Sequence, residues 1–332
     1  MLKQMVNPDL YHKKVPWNLF EGWYFKITDP RNALVFIPGI FHGDKKGMDA
    51  HGFIQVLDGR SVLYDYVFFP PDAFSSKNNR SGFEVAIAEN RFSPSGFHLD
   101  LDTALGRIVA DIEFSHTLKW NNNSRSNRSM GFYNFIPFME CYSQVCLMDA
   151  EVHGSIHIDG RPISLSSAKG YVEKNWGRQF PYSWVWVQSN SFSTPGVSLS
   201  ASIGHIPFPL GSFRGFLMGL QLGSEFHEFT SMNHSKLSIE QHQKDVVITA
   251  ANPTHTLEIR TESQPDRFIL CRGPKEGRMQ PLVKETLTAR VHIKLTDIRD
   301  KKVVYEGVGE NAGIEYGGDR MHLLDSPDSF KN

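Results

Sequence analysis

Apolar and polar residues alternate with a period of two along most of the chain, and amphipathic-helix spacing is nearly missing. Gly52–Leu57, the pair Asp58-Gly59 and Arg60–Phe69 read as a β-hairpin closed by an Asp-Gly turn. Glu84–Glu89, Phe97–Asp102 and Ile108–Leu118 supply three further strands, separated by Ser93-Pro-Ser-Gly96 and Gly106. A second Asp-Gly turn, Asp159-Gly160, joins Glu151–Ile158 to Arg161–Leu165. Near the end, Ala289–Ile298 and Lys302–Val308 flank Arg299-Asp-Lys301. Many short strands at close spacing predict an all-β barrel or sandwich. Small polar residues at Ser164–Ala168 precede a new aromatic-rich block, so one domain is expected over 1–165 and a second over 166–324, with a flexible tail over 325–332. Asn121–Ser129 reads as a solvated hairpin loop, with a functional lid as the alternative.

Composition narrows the class. The chain has 332 residues, 40% hydrophobic and 21% charged, which excludes a disordered chain and fits two cores of ordinary size. A net charge of −1 lacks the basic surplus of a phosphate-tracking protein, so no nucleic-acid partner is expected. Cys141, Cys146 and Cys271 are too few for a disulfide framework and fit a reducing compartment. The start, Met1–Leu10, lacks the apolar stretch of a signal peptide. No run reaches the roughly 20 apolar residues of a membrane helix; Leu34–Phe41 and Val62–Phe69 are strand-sized. A soluble cytoplasmic protein without a membrane span follows as the expectation. The unusual number is Phe at 24, against Tyr at 10 and Trp at 6.

Nucleotide, thiol-redox and metalloprotease motifs are missing. His153 and His157 share one strand face with Ser155, which reads as a polar surface rather than a metal site. Asp100 and Asp102 sit in an alternating strand without the further acids an acid-cyclisation motif needs. Two aromatic-acid blocks stand out. The first is Phe20-Glu-Gly-Trp-Tyr-Phe-Lys26, where Trp23 plugs a barrel end or packs a core. Burial among rings is expected to raise the pKa of Glu21. The second is Gly170-Tyr-Val-Glu-Lys-Asn-Trp-Gly177, followed by Phe180–Asn190. There Glu173, Lys174 and Asn175 either orient a polar group in an apolar cavity or pair with charges at a domain interface. Alternation also puts Asp65 on the face of Leu63, Val67 and Phe69, and Glu140 on that of Phe138 and Tyr142, as site acids or as hydrogen-bonded core groups.

Glu21-Gly-Trp-Tyr24, Pro137–Tyr142, Gly170–Gly177, Trp184–Asn190 and Ala312–Gly318 together resemble the tocopherol cyclase family, in order and over nearly the whole chain. The resemblance implies two lipocalin-like antiparallel β-barrel domains, related in fold to carotenoid hydratases and lipocalin-like pericyclases. It also implies a cyclisation that needs no cofactor and no metal. An acid protonates the alkene of a prenylated or terpenoid lipid, and an oxygen captures the tertiary cation. Glu173 is the first candidate acid, Glu21 the second, then Asp65 and Glu140. Trp23, Trp176, Trp184 and Trp186 could face the cation, and Tyr24, Lys174, Asn175 and Gln188 the polar end of the substrate. The expected partner is a hydrophobic small molecule, which is compatible with peripheral membrane contact. A non-catalytic binder of such lipids, a pericyclase and a hydratase stay open as alternatives. The phenylalanine excess suggests cavity lining as well as core, including Phe20, Phe25, Phe36, Phe68, Phe69, Phe135, Phe138 and Phe180.

Overall fold

The computed structural model describes residues 7–12, 19–43, 49–79, 82–121, 128–136, 139–208, 211–319 and 323–324. Its chain folds as two compact units. One runs to Phe180 and includes Ile269–Leu282; the other comprises Pro181–Phe268 and the chain from Val283 onward.

The first unit is built on a 12-stranded sheet. Its strands are β1 (Phe20–Thr28), β2 (Ala33–Phe41), β3 (His51–Asp58), β4 (Leu63–Phe69), β5 (Phe74–Asn79) and β6 (Gly82–Ile87). They continue as β7 (Asn90–Ser93), β8 (Gly96–Thr103), β9 (Gly106–Leu118), β10 (Cys141–Ile158), β11 (Arg161–Ile163) and β12 (Lys169–Gly177). The order is β4-β3-β2-β1-β12-β10-β9-β8-β7-β6-β5, with β11 beside β10. The sheet curls until its ends approach: a methyl group placed on Gly52 of β3 would touch Ile87 of β6 at 3.6 Å and Phe74 of β5 at 3.8 Å. Ser164–Ala168 therefore lead into β12, which pairs with β1 and β10 inside this sheet. The small polar residues mark a loop within the unit, and the chain passes to the second unit after Phe180. The residues expected as a tail, 325–332, lie outside the described residues, as do 122–127 of the polar loop and Phe138.

The second unit carries β13 (Ser183–Ser189), β14 (Ser191–Phe192), β15 (Val197–Phe208), β16 (Gly211–Leu222), β17 (Glu225–Thr230) and β18 (Lys236–His242). β19 (Asp245–Ala251) and β20 (His255–Glu262) follow; β21 (Ile269–Lys275) and the start of β22 (Arg278–Asp297), as far as Leu282, count with the first unit, and the rest of β22 and β23 (Val303–Gly318) with the second. The order is β17-β16-β15-β13-β23-β22-β20-β19-β18. Both units are lipocalin-like antiparallel barrels, and no α-helix occurs among the described residues. Among the described residues, no helix is long and apolar enough to cross a membrane.

The two Asp-Gly turns end differently. Asp159 and Gly160 both take positive φ, at 49° and 73°, and Ile158 pairs directly with Arg161. This is the two-residue turn expected of the pair. At the other, β4 starts at Leu63 rather than Arg60. Asp58 Oδ1 accepts the amides of Arg60 (2.9 Å) and Ser61 (3.4 Å), which holds a longer turn that ends at a left-handed Val62 (φ 57°).

Among the described residues, ten of the chain's 24 phenylalanines are buried in the core. Phe25 lies at ring-centroid distances of 5.4 to 6.3 Å from Phe83, Phe92, Phe97 and Phe114, all inside the first barrel. By contrast Phe68 is 56% and Phe135 42% exposed. Phe25→Ala should therefore cost about 3–5 kcal/mol of unfolding free energy by urea titration. Phe135→Ala should cost about 1 kcal/mol or less. Equal losses for the two would contradict the assignment of Phe25 to the core.

Candidate functional site

β1, β12 and β13 are buried on both faces, so each holds polar side chains where an ordinary strand would meet water. In the first unit Trp23, Phe25, Ile27 and Val172 point into the apolar core. The register pairs Trp23 with Lys174 and Glu21 with Trp176, and so places these four on that inward face. Lys174 Nζ stands 2.7 Å from Glu21 Oε1, and both side chains are fully buried. His12 completes the group. Its amide donates to Glu21 Oε2 at 2.9 Å, and its Nδ1 lies 3.3 Å from Glu21 Oε1 and 3.1 Å from Lys174 Nζ. Lys174 also donates to the Leu10 carbonyl. Its ammonium sits 4.6 Å from the centroid of Trp176 and 5.7 Å from that of Trp23. The rings stack in a row, His12 on Trp176 at 4.3 Å and Trp176 on Tyr142 at 5.4 Å.

This arrangement reverses the pKa expectation for Glu21. Burial by itself pushes the carboxyl up, but the charges of Lys174 and His12 and their hydrogen bonds outweigh it. The group is held below the usual carboxylate range. Glu21 is thus an ionised partner of Lys174, not a stored proton.

Glu173 faces the other way. With Tyr24, its register partner, and Tyr171 and Asn175 it occupies the face of β1 and β12 turned from the apolar core. Ser143 Oγ donates to Glu173 Oε1 at 2.9 Å and the Tyr171 hydroxyl to Oε2 at 2.6 Å; Asn175 Nδ2 lies 3.5 Å from Oε1. The rings of Tyr24 and Tyr171 meet edge to face at 6.4 Å. The structure thus brings Glu173, Tyr24 and Asn175 together, and sets Glu21, Lys174, Trp23 and Trp176 on the opposite face.

Trp184, Trp186 and Gln188 belong to the second unit. They share the face of β13 opposite Val185 and Val187, which pack in that unit's core. Trp184 Nε1 donates to Glu315 Oε2 at 2.8 Å, and its indole lies where a Cβ on Gly317 would be, 2.2 Å away. Only glycine fits there. Asp65 is spent on the backbone: its Oδ1 accepts the Tyr66 amide and its Oδ2 the Ala104 amide, each at 2.7 Å. Glu140 is half-buried, and its Oε2 is buried without a hydrogen-bond partner among the described residues. No group of three His, Cys, Asp or Glu among those residues is arranged to hold a metal ion.

Several contributors escaped the sequence reading. His12 lies outside any strand, so no periodicity marks it. Ser143 and Tyr171 look like ordinary strand residues. Glu285 carried a readable sign, an acid between Val283 and Leu287 in an otherwise apolar alternation. It is 1% exposed and stands directly opposite Glu315 across β22 and β23.

Removing Glu21 leaves the Lys174 ammonium buried without its carboxylate. Glu21→Gln should cost about 3–5 kcal/mol at pH 7. Because the folded pKa of Glu21 is depressed, its contribution is complete above the ordinary value of 4.5 and is lost as pH falls through the folded value. Urea unfolding of wild type and variant should therefore converge on acidification. A gap that stays constant with pH would contradict the ion pair.

The model of the tocopherol cyclase-like family matches residues 17–318. A probable chloroplastic tocopherol cyclase of Oryza sativa subsp. japonica is 27% identical over 359 residues, covering 90% of this chain and 75% of the rice protein. The chloroplastic tocopherol cyclase of Zea mays is 26% identical over 208 residues, covering 59% of this chain and 43% of the maize protein. Among solved structures, kievitone hydratase from Nectria haematococca superposes with a TM-score of 0.52 at 12% identity, covering 91% of this chain and 89% of that one; this likeness bears on the fold alone. With the family blocks carried by β1, β12, β13 and β23, the chain belongs to the tocopherol cyclase-like family.

Proposed function

We propose that the protein is an acid-initiated cyclase of a prenylated or terpenoid lipid, and that Glu173 delivers the proton. The observation that carries this reading is the chemistry of the partners around the candidate acids. Glu21 is held by an ammonium and a backbone amide, and Asp65 by two backbone amides. Such groups only donate, and so favour a carboxylate. Glu173 meets two hydroxyls at short range, from Ser143 and Tyr171, with the Asn175 side-chain amide farther off at 3.5 Å. A hydroxyl can donate or accept, so this pair tolerates both the acid before transfer and the carboxylate after it.

The step balances without a redox partner. The Glu173 O–H adds its proton to one alkene carbon, and the tertiary cation forms at the other. An oxygen of the same substrate closes the ring and releases its proton to the Glu173 carboxylate. In this reading the rings of Tyr24 and Tyr171, which meet edge to face beside Glu173, offset the passing positive charge. In this reading Asn175, beside Glu173, binds the substrate oxygen.

Incubation with prenylated hydroquinones and terpenols in heavy water should give a cyclic product that carries deuterium at the protonated carbon. Glu173→Gln should lower turnover by about 100-fold or more while leaving ligand binding intact. Turnover unchanged in Glu173→Gln would overturn the role of Glu173. Binding without product from the wild type would leave a lipid carrier in its place.

A further inference from the structure

The inward face of β12 carries a second arrangement that the cyclisation does not use. Asn7–His12 is not a strand, yet it is tied to β1, β5, β10 and β12 of the first barrel. Tyr11 pairs with Asn78 of β5, amide to side-chain oxygen at 2.8 Å and carbonyl to side-chain nitrogen at 3.2 Å. Its ring is 8% exposed and packs on Trp23 and Phe74. Asp9 accepts from Gln144 of β10 at 3.0 Å, Leu10 from Lys174, and His12 lies flat on Trp176.

The fit of His12 is incomplete in a telling way. Its Nδ1 faces both Lys174 Nζ at 3.1 Å and Glu21 Oε1 at 3.3 Å. One imidazole nitrogen either accepts from the ammonium or donates to the carboxylate; it cannot do both. Close by, Trp23 Nε1 belongs to a fully buried side chain and has no hydrogen-bond partner among the described residues. A buried donor left over in this way is costly and calls for an acceptor.

We propose that Asn7–His12 is a removable plug of the first barrel, and that His12 fills as a self-ligand a slot on Trp176 built for a planar ring with a polar edge. Withdrawal of the plug opens Lys174, Glu21 and the Trp23 N–H to that ligand. The slot lies on the opposite face of β12 from Glu173, so it stands whether or not the cyclisation does.

Cys146 reports on the opening, because it is buried in the same core beside Asp9 and Lys174. In full-length His12→Ala, alkylation of Cys146, located by mass spectrometry, should quicken at least about tenfold. Added imidazole should suppress the gain by refilling the slot, and Trp176→Ala in the same background should abolish that suppression. Unchanged alkylation, or a gain that imidazole leaves untouched, overturns the proposal. Native hydrogen exchange of the wild type gives an independent check should the variant not fold. The amides of Tyr11 and His12 should exchange together through an opening that leaves Trp23 protected. Exchange of all three only on global unfolding overturns the plug.

Discussion

An ammonium cannot stay in an apolar barrel without a counter-charge, and the contact between Lys174 and Glu21 meets that demand at 2.7 Å. Much of the first unit follows from it. The pair fixes how β1 and β12 face each other, because a slip of one residue would turn Lys174 out of the barrel and Val172 with it. It supplies the polar floor on which Leu10 and His12 rest. It also sets which carboxylates remain for chemistry. Once Glu21 is committed to the ion pair, the next acid in the neighbouring strand is Glu173, and strand alternation puts that group on the other face.

Two-sided burial is shared by three of the strands that carry the family blocks, β1, β12 and β13. An outer strand such as β9 shows water on one side and core on the other. β1, β12 and β13 show neither face to water, so their outward positions hold Tyr24, Glu173, Asn175, Trp184, Trp186 and Gln188 in partly desolvated surroundings. Desolvation strengthens each hydrogen bond there and raises the cost of an unmatched group. That is the setting in which a carboxyl held by hydroxyls differs most from one held by a lysine.

The same property explains what could be read from the residues alone. The strands around β8, β9 and β22 were legible because one face alternates with the other, as in Phe97-His-Leu-Asp-Leu101, whereas β3, buried on both faces, was marked by the Asp-Gly turn that follows it. β1 and β12 lack that alternation and stood out only as aromatic-acid blocks. The burial of Glu21 was legible from its neighbours. Its counter-charges were not, since Lys174 lies far along the chain and His12 belongs to a segment without periodicity. Ser164–Ala168 suggested a boundary by composition, but small polar residues suit a loop before an internal strand equally well. Glu173 and Asn175 were found together with Lys174, which the structure turns to the other face, and the hydroxyls of Ser143 and Tyr171 became visible only with the strands side by side.

The central proposal is that the inward and outward faces of the paired strands β1 and β12 hold carboxyl groups in different states, a carboxylate at Glu21 and a proton donor at Glu173. Infrared difference spectroscopy at neutral pH, with carbon-13 in the glutamate carboxyls, reads this directly. The account predicts a protonated-carboxyl C=O band that disappears in Glu173→Gln and persists in Glu21→Gln. A band lost with Glu21 instead, or no such band in the wild type, would contradict it.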